Sequence, residues 1–328
     1  MPTLALPGTD LAVSALCLGG TAWGWTASEA DSLRILDRYA DLGGNFLDTA
    51  RIYSDWVPDE KRRSERIIGD WLKARGRRDR VVLATKGAHP FIESLDTPRT
   101  SAAEIRDDLE GSLRTLRTDV VDLYWLHRDD PRRPVGHFID LLNVFVREGK
   151  VRYFGASNWT AARLRAAHDY ARQSGQQGFS ANQPFWCLGV AQSGPPPFTG
   201  YVKFGPEDYR FHRETNLVVV PYTSQAGGFF SKLARPPAQR PPDLAQNPFH
   251  TPPNLAAAAI AERIAKARGV DISAIVLAYL WSRPFPVSPI IGPRTIEQME
   301  ESFTALAVRL TAAELQSLEI ASISGLPA

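Results

Sequence analysis

Two cysteines and two methionines stand among 328 residues. Cys17 and Cys187 each lie in an apolar context, so no disulfide framework organises the chain, and the pair reads as two buried free thiols in a reducing compartment. No apolar run approaches the ~20 residues that a membrane-spanning helix requires. The opening residues, MPTLALPGTDLAV, carry neither a basic n-region nor an apolar stretch of signal-peptide length, so a cytoplasmic location is expected. Neither sign of charge dominates: 38 Lys and Arg balance 36 Asp and Glu, for a formal net charge of +2. The basic residues are scattered among acidic ones, which argues against a nucleic-acid partner. The locally basic run at 73–80, KARGRRDR, reads as a solvated helix end followed by a turn. The six histidines (His89, His127, His137, His168, His212 and His250) show no H-x-H or H-E-x-x-H spacing, so no metal site is expected.

What is present is an alternation. Short apolar runs rich in β-branched residues occur at 15–20, 45–49, 81–86, 120–127, 151–157, 179–183, 217–224 and 287–292. They are near-continuous rather than alternating, as expected of parallel strands covered on both faces. Helical patterns fill the gaps, at 28–43, 100–117, 135–149, 160–175, 254–269 and 272–283. Ser28 is placed to cap the first, and Ile105, Leu109, Leu113 and Leu116 form one stripe of the second. Eight βα units predict a (β/α)8 TIM barrel as one domain over residues 1–328. The segment 4–13 reads as an N-terminal β-hairpin turning on PGTD, and 311–320 as an extra C-terminal helix. Two long stretches do not fit a minimal barrel. One is 188–208, with Pro195, Pro196 and Pro197; the other is 225–253, whose part from 235 on holds seven prolines. Each follows a strand, so each is expected at the C-terminal mouth, where such barrels do chemistry.

On that reading Asp48, Lys86 and His127 end three successive strands, and Tyr53 lies on the loop after the first of them. A lone histidine or lysine at a strand end is commonly structural; four polar side chains at one rim point to chemistry. The chemistry they suit is carbonyl reduction. Hydride arriving at a carbonyl carbon builds negative charge on oxygen, and that oxygen needs a proton. A tyrosine with an ordinary pKa of ~10 is a poor acid at neutral pH. A nearby ammonium favours phenolate and lowers that pKa, a carboxylate holds the ammonium charged, and a histidine can hydrogen-bond the carbonyl oxygen.

The chain resembles the aldo-keto reductases over nearly its whole length. The matching words are GGNFLDTARIY (43–53), ATKG (84–87), DLYWLH (122–127), GKVRYFGASN (149–158), ANQP (181–184) and IIGPRTIEQMEES (290–302). The resemblance implies a catalytic tetrad of Asp48, Tyr53, Lys86 and His127, with Tyr53 the proton donor and Asp48 supporting the lysine that tunes it. It also implies a nicotinamide cofactor bound without a glycine-rich fingerprint. Gly19, Gly20 and Thr21 would lie against the nicotinamide, Ser157, Asn158 and Gln183 on its carboxamide, and Tyr222 stacked on its ring. Ser224 and Gly227, next to Gly228, match a loop over the pyrophosphate. Gly292, Arg294, Gln298 and Glu301 match the adenosine site, where arginine suits a 2′-phosphate. NADP(H) is therefore favoured, with NAD(H) the other possibility, because Ser302 stands where the family has asparagine.

For a substrate, Trp23, Trp56 and Trp186 are expected as walls of an aromatic mouth, and Arg128, beside Asp129 and Asp130, suggests a sugar-like or otherwise polar aldehyde or ketone. The partner is a small-molecule carbonyl or alcohol, with the chain a monomer or a homo-oligomer. The rival reading is a nicotinamide-binding, redox-sensing regulatory subunit with little turnover.

Overall fold

The computed structural model describes residues 1–58, 60–191, 200–322 and 325–326. The chain opens with a hairpin of β1 (Thr3–Ala5) and β2 (Ala12–Ser14), paired antiparallel with Thr3 opposite Ser14. Its turn passes through Gly8 at φ +75, a left-handed position that glycine takes without a Cβ penalty. Eight parallel strands follow: β3 (Cys17–Gly19), β4 (Phe46–Asp48), β5 (Val82–Gly87), β6 (Val121–Leu126), β7 (Val151–Ser157), β8 (Ala181–Gln183), β9 (Val218–Val219) and β10 (Ile290–Ile291). They pair in chain order, and β10 pairs with β3. The sheet closes between β9 and the approach to β10, where Val219 N–H donates to Pro286 O at 3.0 Å and Ser288 N–H to Val219 O at 2.9 Å. All eight expected strands and the hairpin are therefore present, in a (β/α)8 barrel.

The helices are α1 (Glu29–Asp41), α2 (Arg63–Arg75), α3 (Ala102–Leu116), α4 (Val135–Arg147), α5 (Ala161–Ser174), α6 (Pro206–Thr215), α7 (Phe229–Leu233), α8 (Pro252–Arg268), α9 (Ile272–Trp281), α10 (Ile296–Thr304) and α11 (Ala312–Ser322). Ser28 does cap α1, accepting from Asp31 N–H. Ser101 and Glu104 form a reciprocal capping box at α3. The basic run at 73–80 spans the end of α2, where Gly76 takes the left-handed position, and the turn after it.

The sequence reading holds only the basic end of α2, and α6 and the short α7 are absent from it. Helix α2 starts without a side-chain cap; Arg62 enters it at φ +62, and its N–H is satisfied by Asp55 Oδ1 at 2.6 Å, seven residues back. Helix α6 begins at a proline inside glycine-rich sequence, so the end of the expected loop 188–208 is helical. Residues 192–199 of that loop, with its three prolines, lie outside the described residues. The stretch 225–253 is built from α7 and short 3₁₀ turns. Asn254 anchors it, bonding Val190 N and O at 3.0 Å each and Phe249 O at 2.8 Å.

Side chains alternate between the two faces of each strand. Leu83, Leu47, Leu126 and Phe154 point outward into the layer under the helices. Phe46, Val82, Ala84, Leu123, Trp125, Ala181, Val218 and Val220 point inward, and Leu6, Leu11 and Val13 of the hairpin region pack with them, plugging the N-terminal end. The same period of two, carried one step further, sets the inward residue at the C-terminal end of each strand. Phe46 leads to Asp48, Ala84 to Lys86, Trp125 to His127, Ala181 to Gln183 and Val220 to Tyr222. An apolar floor is thus topped by a ring of polar side chains.

Candidate active site

Lys86 is the centre of that ring and is fully buried. Its Nζ donates to Asp48 Oδ2 at 2.5 Å, to the Thr49 carbonyl at 2.8 Å and to the Tyr53 hydroxyl at 3.1 Å. Burial alone drives a lysine toward neutrality. Here the Asp48 carboxylate and the Tyr53 phenol outweigh it and hold the ammonium above its ordinary range. Three oxygens around Nζ match the three donors of an ammonium.

Tyr53 reaches this lysine because the loop after β4 is held tightly. Thr49 N–H and Arg51 N–H continue the ladder onto Ala84 O and Lys86 O, each at 3.0 Å. Ser54 then takes φ +70, and its hydroxyl donates to Trp23 O at 2.9 Å. Tyr53 remains partly exposed at the mouth.

His127 is buried and continues β6, its N–H donating to Gly87 O at 2.9 Å. Its ring meets that of Tyr53 edge-on, with centroids 5.9 Å apart. Burial, followed by the nearby His89, Arg128 and Lys86, pushes its pKa well below the usual histidine range. It is a neutral imidazole at physiological pH, and its Nδ1 is buried without a protein partner. The structure thus brings Asp48, Tyr53, Lys86 and His127 together.

Several contacts were not legible in advance, one of them from a residue, Gln183, already expected at the site. Gln183 Nε2 donates to the second Asp48 oxygen at 3.0 Å. His89 packs on His127, with ring centroids 4.7 Å apart. Its Nδ1 lies 2.7 Å from Pro90 O, which can only accept, so the proton is on Nδ1. Burial lowers its pKa to about 4. Outside β5 sits a second buried polar group: Glu65 accepts from Thr85 Oγ1 at 2.7 Å and pairs with Arg51 at 3.4 Å. Asp108 accepts from Ala88 N–H at 3.0 Å and pairs with Arg99, fixing the chain where Ala88 leaves β5 at φ +63. These groups hold the end of the strand that carries Lys86.

The candidate cofactor residues lie along the same rim. Ser157 Oγ donates to Gln183 O at 2.8 Å. Asn158, at φ +60, donates to Ser157 Oγ and to His127 O, and accepts from the Tyr222 hydroxyl at 2.6 Å. Ser224 Oγ donates to Ile290 O at 2.5 Å. At Gly20 an added Cβ would lie 2.5 Å from Ser64 Oγ, so the backbone there, leading to the exposed Thr21, tolerates no side chain. At Gly227 and Gly292 a Cβ would meet nothing within 4 Å, so both present open backbone. Arg294 is exposed at the start of α10, beside the capping Thr295. Gln298 turns back to accept from Arg294 N–H at 2.9 Å, and Glu301 accepts from Ser273 Oγ at 2.5 Å. Ser302 is buried, donating to Gln298 O and accepting from Gln225 Nε2 at 3.3 Å, so it ties α10 to the loop after β9. Open glycine backbone and a guanidinium at a helix start that forms no ion pair among the described residues fit a dinucleotide phosphate chain.

Of the residues expected as substrate walls, Trp56 lies half-buried at the mouth, 6.4 Å from the Tyr53 ring, with the exposed Trp25 edge-on to it. Trp23 is fully buried. Trp186 is also buried; it stacks on Phe204 at 4.2 Å and lies against Tyr279 and Phe285, as core filling does. The Asp129 and Asp130 side chains turn away to Arg163 and Arg132. Among the described residues no His, Cys, Asp and Glu cluster could hold a metal, and no helix is long and apolar enough to cross a membrane.

A closed parallel barrel with a buried lysine and carboxylate beside a partly exposed phenol at its C-terminal mouth fits an oxidoreductase acting on carbonyl or alcohol groups. Residues 15–323 match the model of the aldo/keto reductase family, and the chain belongs to that family. It is 29% identical to an aryl-alcohol dehydrogenase of Pestalotiopsis microspora, over 96% of this chain and 80% of that protein. It is 30% identical to a norsolorinic acid reductase of Emericella nidulans, over 95% of this chain and 79% of the relative. An uncharacterized oxidoreductase of Bacillus subtilis is 32% identical, over 92% of this chain and 90% of its own length.

Proposed function

We propose that this chain interconverts an aromatic aldehyde or ketone and its alcohol with NADP(H), Tyr53 giving or taking the proton. The observation that carries the reading is the contact of the buried Lys86 ammonium with both Asp48 and the Tyr53 hydroxyl. A bound nicotinamide supplies the hydride. The chain's own residues do the rest. Tyr53 donates to the carbonyl oxygen as charge builds there. Lys86 stabilises the phenolate left behind, in a buried setting where a charge counts for more than in water. His127, being neutral, offers a hydrogen bond to the same oxygen without competing for the proton. Ser157, Asn158 and Gln183 would hold a carboxamide and Tyr222 would face the ring. Arg294 at the start of α10 favours a 2′-phosphate, hence NADPH.

The mouth supports an aromatic substrate rather than a sugar. Asp129 and Asp130, which would have bound hydroxyl groups, are taken up by arginines. Trp56 lies beside Tyr53 instead, with Trp25 edge-on to Trp56, and two of the relatives above bear names for aryl-alcohol and norsolorinic acid chemistry. The test is NADPH oxidation by the purified protein over aromatic aldehydes, aliphatic aldehydes and keto-sugars, with Tyr53→Phe alongside. Turnover of the aromatic set, falling ~10²–10⁴-fold in the variant as general-acid loss does, is the expected result. Turnover untouched by Tyr53→Phe rejects the role of that residue. Tight NADPH binding without turnover of any carbonyl would move weight to a regulatory subunit.

A further inference from the structure

Arg128 follows the candidate catalytic histidine and is half-buried at the mouth. Its guanidinium carbon stands 5.1 Å from the centroid of the Tyr201 ring. Tyr201 in turn packs on Tyr222 at 5.9 Å and on Phe185 at 6.1 Å. On another side, a Cβ added at Gly200 would lie 3.7 Å from Arg128 Cδ and Nε, so backbone also closes on the stem of the side chain. The arginine is therefore held in place rather than waving in solvent.

It is held without a counter-charge. Its hydrogen bonds go to neutral groups: a long one from Nη1 to His127 O at 3.3 Å, and one with the Tyr201 side chain. The two carboxylates next to it in sequence are engaged elsewhere: Asp129 accepts both arms of Arg163 at 2.8 Å, and Asp130 binds Arg132 at 2.8 and 2.9 Å. Among the described residues no carboxylate forms an ion pair with Arg128. Its field reaches His127, His89, Tyr201 and Tyr222. A guanidinium partly removed from water without a carboxylate is an unfavourable arrangement that an anionic ligand would offset. Its planar fork suits a carboxylate held by two parallel hydrogen bonds.

We infer that Arg128, seated on Tyr201, is an anion-selecting residue that gives this mouth a preference for aromatic carbonyl substrates bearing a ring carboxylate. The inference rests on the carbonyl-reductase reading above and names the class of substrate within it. The carbonyl end would lie between Tyr53 and His127, and the anionic end against Arg128. Trp56, beside Tyr53, would face the ring.

The test separates the two readings by measuring binding apart from turnover. With the NADP-loaded protein, benzoate and the neutral benzamide are titrated against the native chain, Arg128→Gln and Arg128→Lys. The expected result is tighter benzoate binding in the native chain, by roughly tenfold or more. That preference should be lost in Arg128→Gln, partly kept in Arg128→Lys, and weakened as salt is raised. Turnover of 4-formylbenzoate against 4-formylbenzamide should show the same ratio in kcat/KM, carried by KM. A benzoate preference near one, or one that Arg128→Gln leaves intact, overturns the inference whether or not aldehydes are reduced. Absence of turnover with the binding preference present would instead reject the reductase reading and leave the anion site standing.

Discussion

The amide nitrogen of Gln183 donates to Asp48 Oδ1 across 3.0 Å, while the other Asp48 oxygen holds Lys86. Both side chains are buried. One carboxylate therefore connects β8 to β5, and any group that pulls on Gln183 pulls on the lysine's counter-ion. Gln183→Leu keeps the bulk and leaves Asp48 short of one donor. The expected effects are a loss of ~1–3 kcal/mol of stability, the usual cost of an unsatisfied buried acceptor, and a displaced pH profile of kcat. A merely structural role would lower stability without moving that profile.

Removing one partner of the buried pair differs from removing both. Lys86→Met leaves Asp48 charged and unpaired, and should cost ~3–5 kcal/mol in denaturant unfolding. Adding Asp48→Asn to it removes the stranded charge and retains an oxygen for Gln183. Much of the stability should return, while turnover stays abolished. If the double variant is no more stable than Lys86→Met, the pair is not the source of the loss.

The pH dependence of stability carries two opposite signs near α6. Burial raises the Asp208 carboxyl to about 6. The folded state thus holds this proton where the unfolded chain, with an ordinary aspartate, has released it. Stability from this group is present at low pH and is lost as pH rises through about 6. Asp208→Asn keeps an oxygen for Gly205 N–H, which Asp208 Oδ2 now accepts at 3.0 Å. It should raise the unfolding midpoint near neutral pH, by about 1 kcal/mol or more, and give no gain near pH ~4. An equal gain at both pH values would rule out ionisation as its cause.

His212 runs the other way. Its Nδ1 faces Leu217 O at 2.8 Å, and its Nε2 faces the Asn182 amide at 3.1 Å. Burial lowers its pKa to about 4, so the unfolded chain takes up a proton first. Stability from this group is lost as pH falls from about 6.5, the ordinary histidine value, toward about 4. His212→Gln should flatten that part of the stability curve, read as unfolding midpoints at several pH values.

Arg294 is exposed at the start of α10, and Lys232 of α7 lies near enough for their charges to repel; burial and then Arg294 lower the Lys232 pKa. A 2′-phosphate would relieve that repulsion. Arg294→Ala should weaken NADPH binding by roughly ten- to a hundredfold and NADH binding far less, by equilibrium titration. Equal weakening of the two cofactors would remove the phosphate from this position.

The strands and their order were legible because both faces of each are covered, which leaves unbroken apolar runs. Asp48, Lys86 and His127 were legible as polar residues interrupting such runs at the same end. Helix α2 was not, since it opens on a left-handed arginine satisfied by a distant Asp55 rather than by a local cap. The Gln183–Asp48 bond spans 135 positions and exists only once the barrel has closed. Trp186 and Trp56 both follow strands, and nothing local tells that one would stack in the core and the other line the mouth. The same is true of Asp129 and Asp130, whose arginines come from elsewhere in the chain or from the turn that follows.

Each strand of this barrel is written in two halves that share one phase. The lower inward letters, such as Phe46, Val82 and Leu123, make the floor. The last inward letters, Asp48, Lys86 and His127, make the candidate reaction centre. Exchange of upper letters that strands no buried partner leaves the floor untouched, so such a scaffold can change its chemistry without relearning how to fold. Deletion of a single residue within β5 does the reverse: Thr85 would swing to the mouth and Lys86 under the helices, and foundation and chemistry would fail together.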